Sequence, residues 1–240
     1  MNPVVIIPAR MASSRLPGKP LADIGGVPMI VRVWAKAMKA GIGPVIVAAA
    51  EEEIADAVER AGGHAVLTHP DLPSGSDRVF AALQGVDPGG RYDTVINCQG
   101  DLPDLDPAQL QGALDALPGH DLATLAAPIT DEADRVNPAV VKAVVAWEPQ
   151  GLKGRALYFS RATVPTGPGD HFYHVGLYAW RREALARFVR LPPSPLELRE
   201  KLEQLRALEA GMSIAVAKVD SVPLSVDTPE DLAYARKLLT

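Results

Sequence analysis

The chain lacks the material for several common designs. Its one cysteine, Cys98, excludes an internal disulfide, and its setting in Val95-Ile96-Asn97-Cys98 suits a small core filler. No apolar run approaches the roughly 18 residues that span a bilayer, and no basic region precedes a stretch of signal-peptide length. The expectation is a soluble, cytoplasmic protein with no membrane partner. An excess of basic residues is also missing: the formal net charge is −5, which argues against a nucleic-acid partner. There is no Gly-Lys-Ser/Thr opening a helix and no Gly-x-Gly-x-x-Gly after the first strand, so P-loop kinases and NAD enzymes lose their main support. No repeat of solenoid length and no low-complexity tract is found. Most telling, no acidic side chain precedes Asp23.

What that acid-free stretch holds is positive charge. A short apolar run at residues 4–7 reads as a buried strand, ends at Pro8, and opens into a loop with Arg10, Ser13, Ser14, Arg15, Gly18 and Lys19. Guanidinium groups grip phosphate oxygens bidentately and an ammonium acts as a point charge, so the loop suits a polyphosphate. A solvated basic surface loop is the ordinary alternative. Position favours a ligand, because open α/β sheets bind outside the carboxyl ends of their strands.

At 240 residues and 48% hydrophobic content the chain can bury a sizeable core. Strand patterns at 45–50, 64–68 and 93–98 alternate with helical ones at 28–40, 51–61 and 74–83. This predicts a parallel or mostly parallel sheet covered on both faces. Further strands are expected at 123–128, 140–147, 156–160, 172–180 and 214–219, a loop at 165–170, one long helix over 195–210, and a terminal helix after Asp227.

Two aspartates stand out. Asp101 follows the 93–98 strand directly, and Mg²⁺ is commonly held by one or two carboxylates plus substrate phosphates. A strand-to-loop cap explains Asp101 equally well. Around Asp227, Thr228 as N-cap, Pro229 at the first helical position and Asp231 three residues after the cap make a good helix start that needs no metal.

The pattern Pro-Ala-Arg-x-x-Ser-x-Arg-Leu-Pro-Gly-Lys-Pro resembles the N-terminal signature of the 3-deoxy-manno-octulosonate cytidylyltransferases, or CMP-Kdo synthetases. Five further stretches match in order: Ser74-Gly75-Ser76-Asp77-Arg78, Gln99-Gly100-Asp101, Tyr158-Phe159-Ser160-Arg161, His174-x-Gly176-x-Tyr178 with the helix carrying Glu197, Glu203, Gln204 and Arg206, and Val226-Asp227-Thr228-Pro229. The resemblance implies a Rossmann-like, GT-A-like nucleotidyltransferase in one domain over 1–240. Its nucleotide-binding half would cover about 1–130, and a sugar-binding and dimerisation lobe about 131–240.

It further implies transfer of CMP from CTP to the anomeric hydroxyl of Kdo. Arg10, Lys19, Asp101 and Asp227 would be catalytic, and Asp101 and Asp227 would bind Mg²⁺. Ala9, Arg10, Ser13, Arg15, Lys19, Ser74, Gly75, Arg78 and Gln99 would meet the nucleotide; Arg161, His174, Tyr178, Glu203 and Gln204 would meet the sugar, Arg161 as clamp for its carboxylate. A homodimer is also implied, for which Phe172, Tyr173 and Trp180 are candidate interface aromatics. The alternatives are a cytidylyltransferase for 8-amino-Kdo or a sialic acid, and a non-catalytic nucleotide-sugar-binding module. The chain departs from the pattern where Ala48-Ala49-Ala50-Glu51 replaces a Thr-Asp pair, so a polar contact there is lost or moves to Glu51. It departs again at Leu102-Pro103 and at Tyr173.

Overall fold

Val4, Val5, Ile6 and Ile7 lie at zero exposure in strand β1 (Pro3–Ala9) of the computed structural model. The structure describes residues 1–13 and 15–240, so Ser14 of the basic loop lies outside the described residues. Four branched side chains buried on alternating faces mark a strand covered on both sides. Two compact units are present: Met1–Gln111 with Pro223–Thr240, and Gly112–Val222.

In the first unit β1 is followed by a 3₁₀ turn (Lys19–Leu21), the two-strand ribbon β2 (Asp23–Ile24) and β3 (Val27–Pro28), α1 (Met29–Met38), β4 (Val45–Ala49), α2 (Glu52–Arg60), β5 (His64–Leu67), α3 (Gly75–Val86), β6 (Thr94–Asn97) and α4 (Pro107–Ala116), within which the division falls. Its sheet runs β5-β4-β1-β6, every pair parallel, with Val5 opposite both Val45 and Ile96. Parallel register brings the carboxyl ends of β1 and β6 side by side. The chain segments leaving them approach so closely that a Cβ on Gly100 would lie 2.9 Å from the Pro8 carbonyl oxygen. Only glycine fits there without displacement.

The second unit is built differently. It contains β7 (Leu122–Pro128), α5 (Glu132–Val136), β8 (Lys142–Trp147), β9 (Lys153–Ser160), β10 (Phe172–Arg181), α6 (Arg182–Phe188), α7 (Pro195–Glu200), α8 (Gln204–Glu209) and β11 (Ile214–Lys218). Its strands run β10-β7-β11-β9-β8, with β11–β7 parallel and the other pairs antiparallel. β8 also meets β10 at Lys142 and Tyr173, so the five strands close on themselves. The expectation of a mostly parallel sheet is therefore corrected: the architecture is mixed α/β. The reason lies in the connections. β8 and β9 are joined by residues 148–152, too few for the dozen or so a parallel crossover requires.

Two more expectations are corrected here. The single helix over 195–210 is broken at Lys201, which is left-handed at φ 56°. Breaking there buries Leu202 and Leu205 and turns Arg206 back onto Glu197, with Nε 2.8 Å from Oε2. Trp180 is not a surface aromatic: it is 2% exposed and packs at a tilt against Phe188, with ring centroids 4.9 Å apart.

The chain finishes in the first unit with α9 (Pro229–Leu239). Thr228 Oγ1 accepts from the Asp231 N–H at 3.2 Å, and Asp231 Oδ2 accepts from the Thr228 N–H at 2.9 Å, a complete capping box. Burial alone would raise the Asp231 pKa, but the N–H groups of Asp227 and Thr228 and the Thr228 hydroxyl hold it below its ordinary value. Among the described residues no helix is long and apolar enough to cross a membrane. Thr228→Ala removes the cap acceptor and should cost about 1 kcal/mol, seen as a fall of roughly 2–4 °C in Tm. An unchanged midpoint in thermal or urea unfolding would contradict this account of the helix start.

Candidate active site

Gly18, at φ 72°, turns the basic loop back, and its N–H donates to the Met11 carbonyl at 3.1 Å. The loop is tethered at its start by Glu51, whose Oε2 accepts from the Met11 N–H at 2.9 Å. Glu51, the acid that follows Ala48-Ala49-Ala50, therefore makes a polar contact to the loop backbone. Around this loop Ala9, Arg10, Ser13, Arg15, Lys19, Ser74, Gly75, Arg78, Gln99 and Asp101, all singled out in the sequence, line one cavity of about 360 Å³ together with Pro8, Ala12, Pro20 and Gly100.

At one end of that lining, Lys19 Nζ donates to Asp101 Oδ2 at 2.7 Å and to Asp227 Oδ1 at 3.0 Å, and Arg15 reaches the same Asp227 oxygen at 3.1 Å. Backbone pairing explains how carboxylates so distant in sequence meet. The Val226 N–H donates to the Asp101 carbonyl at 3.0 Å, and the Leu224 N–H to Asp104 Oδ1 at 2.7 Å. Thr228 and Asp231 carry the helix cap, which leaves the Asp227 carboxylate turned to the cations. Burial lowers the Lys19 pKa, but Asp101 and then Asp227 outweigh it and the net direction is upward. A magnesium ion fits this donor set: two carboxylates already share one cationic atom, and Mg²⁺ completes its shell with phosphate oxygens and water. Among the described residues no cluster of three or more acids, histidines or cysteines forms a fuller metal cage.

Ser74 and Arg78 do structural work within the cavity wall. Ser74 caps α3 by accepting from the Asp77 N–H at 3.2 Å and donates to Asp77 Oδ2 at 2.7 Å. Arg78, 2% exposed, donates to Thr68 Oγ1 at 2.6 Å and to the carbonyls of His69 and Pro70 at 3.1 and 3.0 Å. Burial first, and Arg10 second, lower its pKa. It braces the 68–70 turn, and is not the acid-paired surface arginine that the sequence offered as the ordinary alternative.

The sugar-side candidates belong to the second unit. His174 is buried, with Phe159 at 4.7 Å and Tyr178 at 5.7 Å between ring centroids. Its Nε2 lies 3.0 Å from Thr124 Oγ1, and that hydroxyl also contacts the Val175 and Leu177 carbonyls. One hydroxyl has one proton, and carbonyls can only accept it, so Nε2 carries the hydrogen and Nδ1 faces the Gln204 amide at 3.4 Å as acceptor. Burial holds the ring neutral, with its pKa down at about 3. Burial and then Glu203 push Tyr178 upward. Gln204 and Tyr178 thus flank His174, and Glu203 acts on Tyr178. Arg161 stands in a separate network: Nε donates to the Glu200 carbonyl at 2.9 Å and Nη1 to the Pro138 carbonyl at 3.0 Å. Sequence reasoning missed Thr124, Lys142 and Glu200. Only Lys142 carried a signal, as a single cation within the apolar stretch at 140–145.

The sequence profile of a family described as cytidylyltransferase matches residues 4–214. The chain is 66% identical to the 3-deoxy-manno-octulosonate cytidylyltransferase of Parvibaculum lavamentivorans, covering 99% of this chain and 93% of that protein. It is 64% identical to the protein of the same name from Rhodospirillum rubrum, covering 99% and 95%. A solved CMP:2-keto-3-deoxy-manno-octonic acid synthetase complexed with CTP superposes with a TM-score of 0.90 at 40% identity, covering 100% of this chain and 98% of that one. A 4-diphosphocytidyl-2C-methyl-D-erythritol synthase from Anaerococcus prevotii, at 14% identity and a TM-score of 0.65, covering 99% and 98%, shares the fold.

The buried histidine has a pH consequence. In the unfolded chain it titrates near its ordinary pKa of about 6.5, whereas the folded ring stays neutral down to about 3. Its share of stability is complete above the unfolded value and is lost as pH falls below it, by at most about 1.4 kcal/mol per pH unit. The His174 ring resonances should therefore stay flat in an NMR titration from about pH 8 to about pH 5. An inflection near 6.5 would contradict the burial argument.

Proposed function

Because this chain belongs to the 3-deoxy-manno-octulosonate cytidylyltransferase family, we propose that it transfers CMP from CTP to the anomeric hydroxyl of Kdo, releasing pyrophosphate and activating the sugar for lipopolysaccharide synthesis. The observation that carries the reading is the Lys19 ammonium between Asp101 and Asp227, beside a cavity lined by Arg10 and Arg15. Polyphosphate and carboxylate-held metal belong together in phosphoryl transfer. A binding module has no need to gather two carboxylates around one cation.

The hydroxyl oxygen of the sugar attacks the α-phosphorus, a new O–P bond forms, and the bond to the β-phosphate oxygen breaks. The hydroxyl proton goes to solvent and the leaving electron pair departs on pyrophosphate. Such a displacement needs positioning and charge neutralisation more than covalent help from the protein. Arg10, Arg15 and Lys19 neutralise the β- and γ-phosphates and the departing pyrophosphate. Asp101 and Asp227 would hold Mg²⁺, which would neutralise charge on the α-phosphate and acidify the attacking hydroxyl. A metal ion at Asp101 and Asp227 would compete with the Lys19 ammonium that now joins them, and phosphate oxygens would be its alternative partners.

Ala9, Ser13, Ser74, Gly75 and Gln99 shape the nucleotide cavity, and Arg78 holds its 68–70 wall. In the second unit Arg161 grips the sugar carboxylate, while Tyr178, Glu203 and Gln204 orient its hydroxyls and neutral His174 meets the sugar by way of Gln204, which it holds. Nucleotide binding falls to the first unit and sugar binding to the second. The working enzyme is read as a cytoplasmic homodimer, which rests on family resemblance.

Pyrophosphate release from CTP, Kdo and Mg²⁺ tests the reading, with 8-amino-Kdo, a sialic acid and the other nucleoside triphosphates as comparators. Asp101→Asn and Asp227→Asn should each abolish turnover with an unchanged circular dichroism spectrum. Wild-type magnesium-dependent turnover in either variant would sink the metal assignment. CTP binding without release on any acid sugar would favour the binding module.

A further inference from the structure

Lys142 is 0% exposed and ranks among the largest wholly buried side chains. A buried lysine ordinarily needs a carboxylate partner. Here Nζ donates to three backbone carbonyls: Asn137 at 2.7 Å, Val140 at 2.8 Å and Arg161 at 3.3 Å. That uses all three donors of an ammonium. The carbonyls come from the turn leading into β8 and from the residue just after β9, so the side chain ties two segments together.

The backbone of Lys142 makes the same connection. It pairs with Ser160 on β9 and with Tyr173 on β10, each one residue before a sugar-side candidate, Arg161 and His174. The Arg161 guanidinium returns to the turn that Lys142 clamps, since its Nη1 donates to the carbonyl of Pro138, which lies between Asn137 and Val140. The Glu200 carbonyl takes Nε, and Glu200 Oε2 takes the Arg161 N–H at 3.0 Å. Two of the five guanidinium N–H donors thus aim the group by way of fixed carbonyls. Charge points the same way. Burial chiefly, and Arg161 as well, depress the Lys142 pKa, opposed by Asp134. A carboxylate arriving at Arg161 would relieve that repulsion between cations.

We propose that Lys142 is a positioning residue for the acid sugar: by clamping the Asn137, Val140 and Arg161 carbonyls it fixes the Pro138 acceptor that aims Arg161 at the sugar carboxylate. The inference rests on the proposed role of Arg161 as that clamp.

The test is steady-state kinetics with CTP, Kdo and Mg²⁺ on wild type, Lys142→Met, Lys142→Gln, Arg161→Ala and the Lys142→Met/Arg161→Ala double variant, with unfolding midpoints measured in parallel. Lys142→Met keeps the stem and loses the donors. It should raise KM for Kdo about tenfold while KM for CTP stays within about twofold. Lys142→Gln, which keeps two donors, should recover part of that rise. In the Arg161→Ala background Lys142→Met should add nothing further, because one acts through the other. An unchanged KM for Kdo in Lys142→Met, with a raised one in Arg161→Ala, overturns this inference and leaves the clamp standing. An unchanged KM in Arg161→Ala removes the clamp and the inference with it. Equal rises in both KM values, additive effects in the double variant, or failure of both Lys142 variants to fold would make the lysine a structural residue only, and overturn the positioning role.

Discussion

The ammonium of Lys19 holds together two carboxylates that the chain supplies 82 and 208 residues further on. Two acids at this separation repel each other unless a cation lies between them, and the local cations come from a loop free of acidic residues. Their meeting depends on the sheet. Parallel register puts the ends of β1 and β6 together, Gly100 permits the close approach, and the Val226 N–H brings the final segment onto the Asp101 carbonyl. With 16% of the Lys19 side chain exposed, water screens the arrangement only in part. A lysine in this place keeps the carboxylates close.

The second unit repeats the principle with a different acceptor. Lys142 is held by carbonyls instead of carboxylates, and His174, kept neutral by burial, is oriented by Thr124 and Gln204. Satisfied polar networks in a low-dielectric interior fix orientation more firmly than solvated contacts do. An acid sugar needs a defined cation for its carboxylate and uncharged partners for its hydroxyls, and both kinds of group are present. Within this unit the closed five-stranded arrangement supplies the rigidity that brings β8, β9 and β10 together at a single lysine.

Much of this was legible before any coordinates. The apolar run of β1, the basic loop and the strand-helix alternation of the first unit follow from local pattern, because a buried parallel strand and a basic loop are each written in contiguous residues; Ser74, Gly75, Arg78 and Gln99 on the cavity wall were reached only through family resemblance. Strand direction in the second unit was not, since periodicity is the same for parallel and antiparallel neighbours. The break at Lys201 was hidden for a related reason: residues 195–210 hold an acceptable helical period, and only burial of Leu202 and Leu205 and the return of Arg206 to Glu197 favour the kink. Trp180 read as an interface residue because exposure cannot be judged from an aromatic in a strand. Lys142 is a cation whose partners are carbonyls, Arg78 has two carbonyls beside the Thr68 hydroxyl, and a carbonyl leaves no mark on a sequence.

The most direct measurement is a crystal structure with CTP and Mn²⁺, using anomalous scattering to locate the metal. The account requires a manganese peak between Asp101 and Asp227, with Lys19 Nζ withdrawn from both carboxylates and placed against phosphate oxygens. Manganese bound elsewhere while Lys19 still bridges the two aspartates would contradict it.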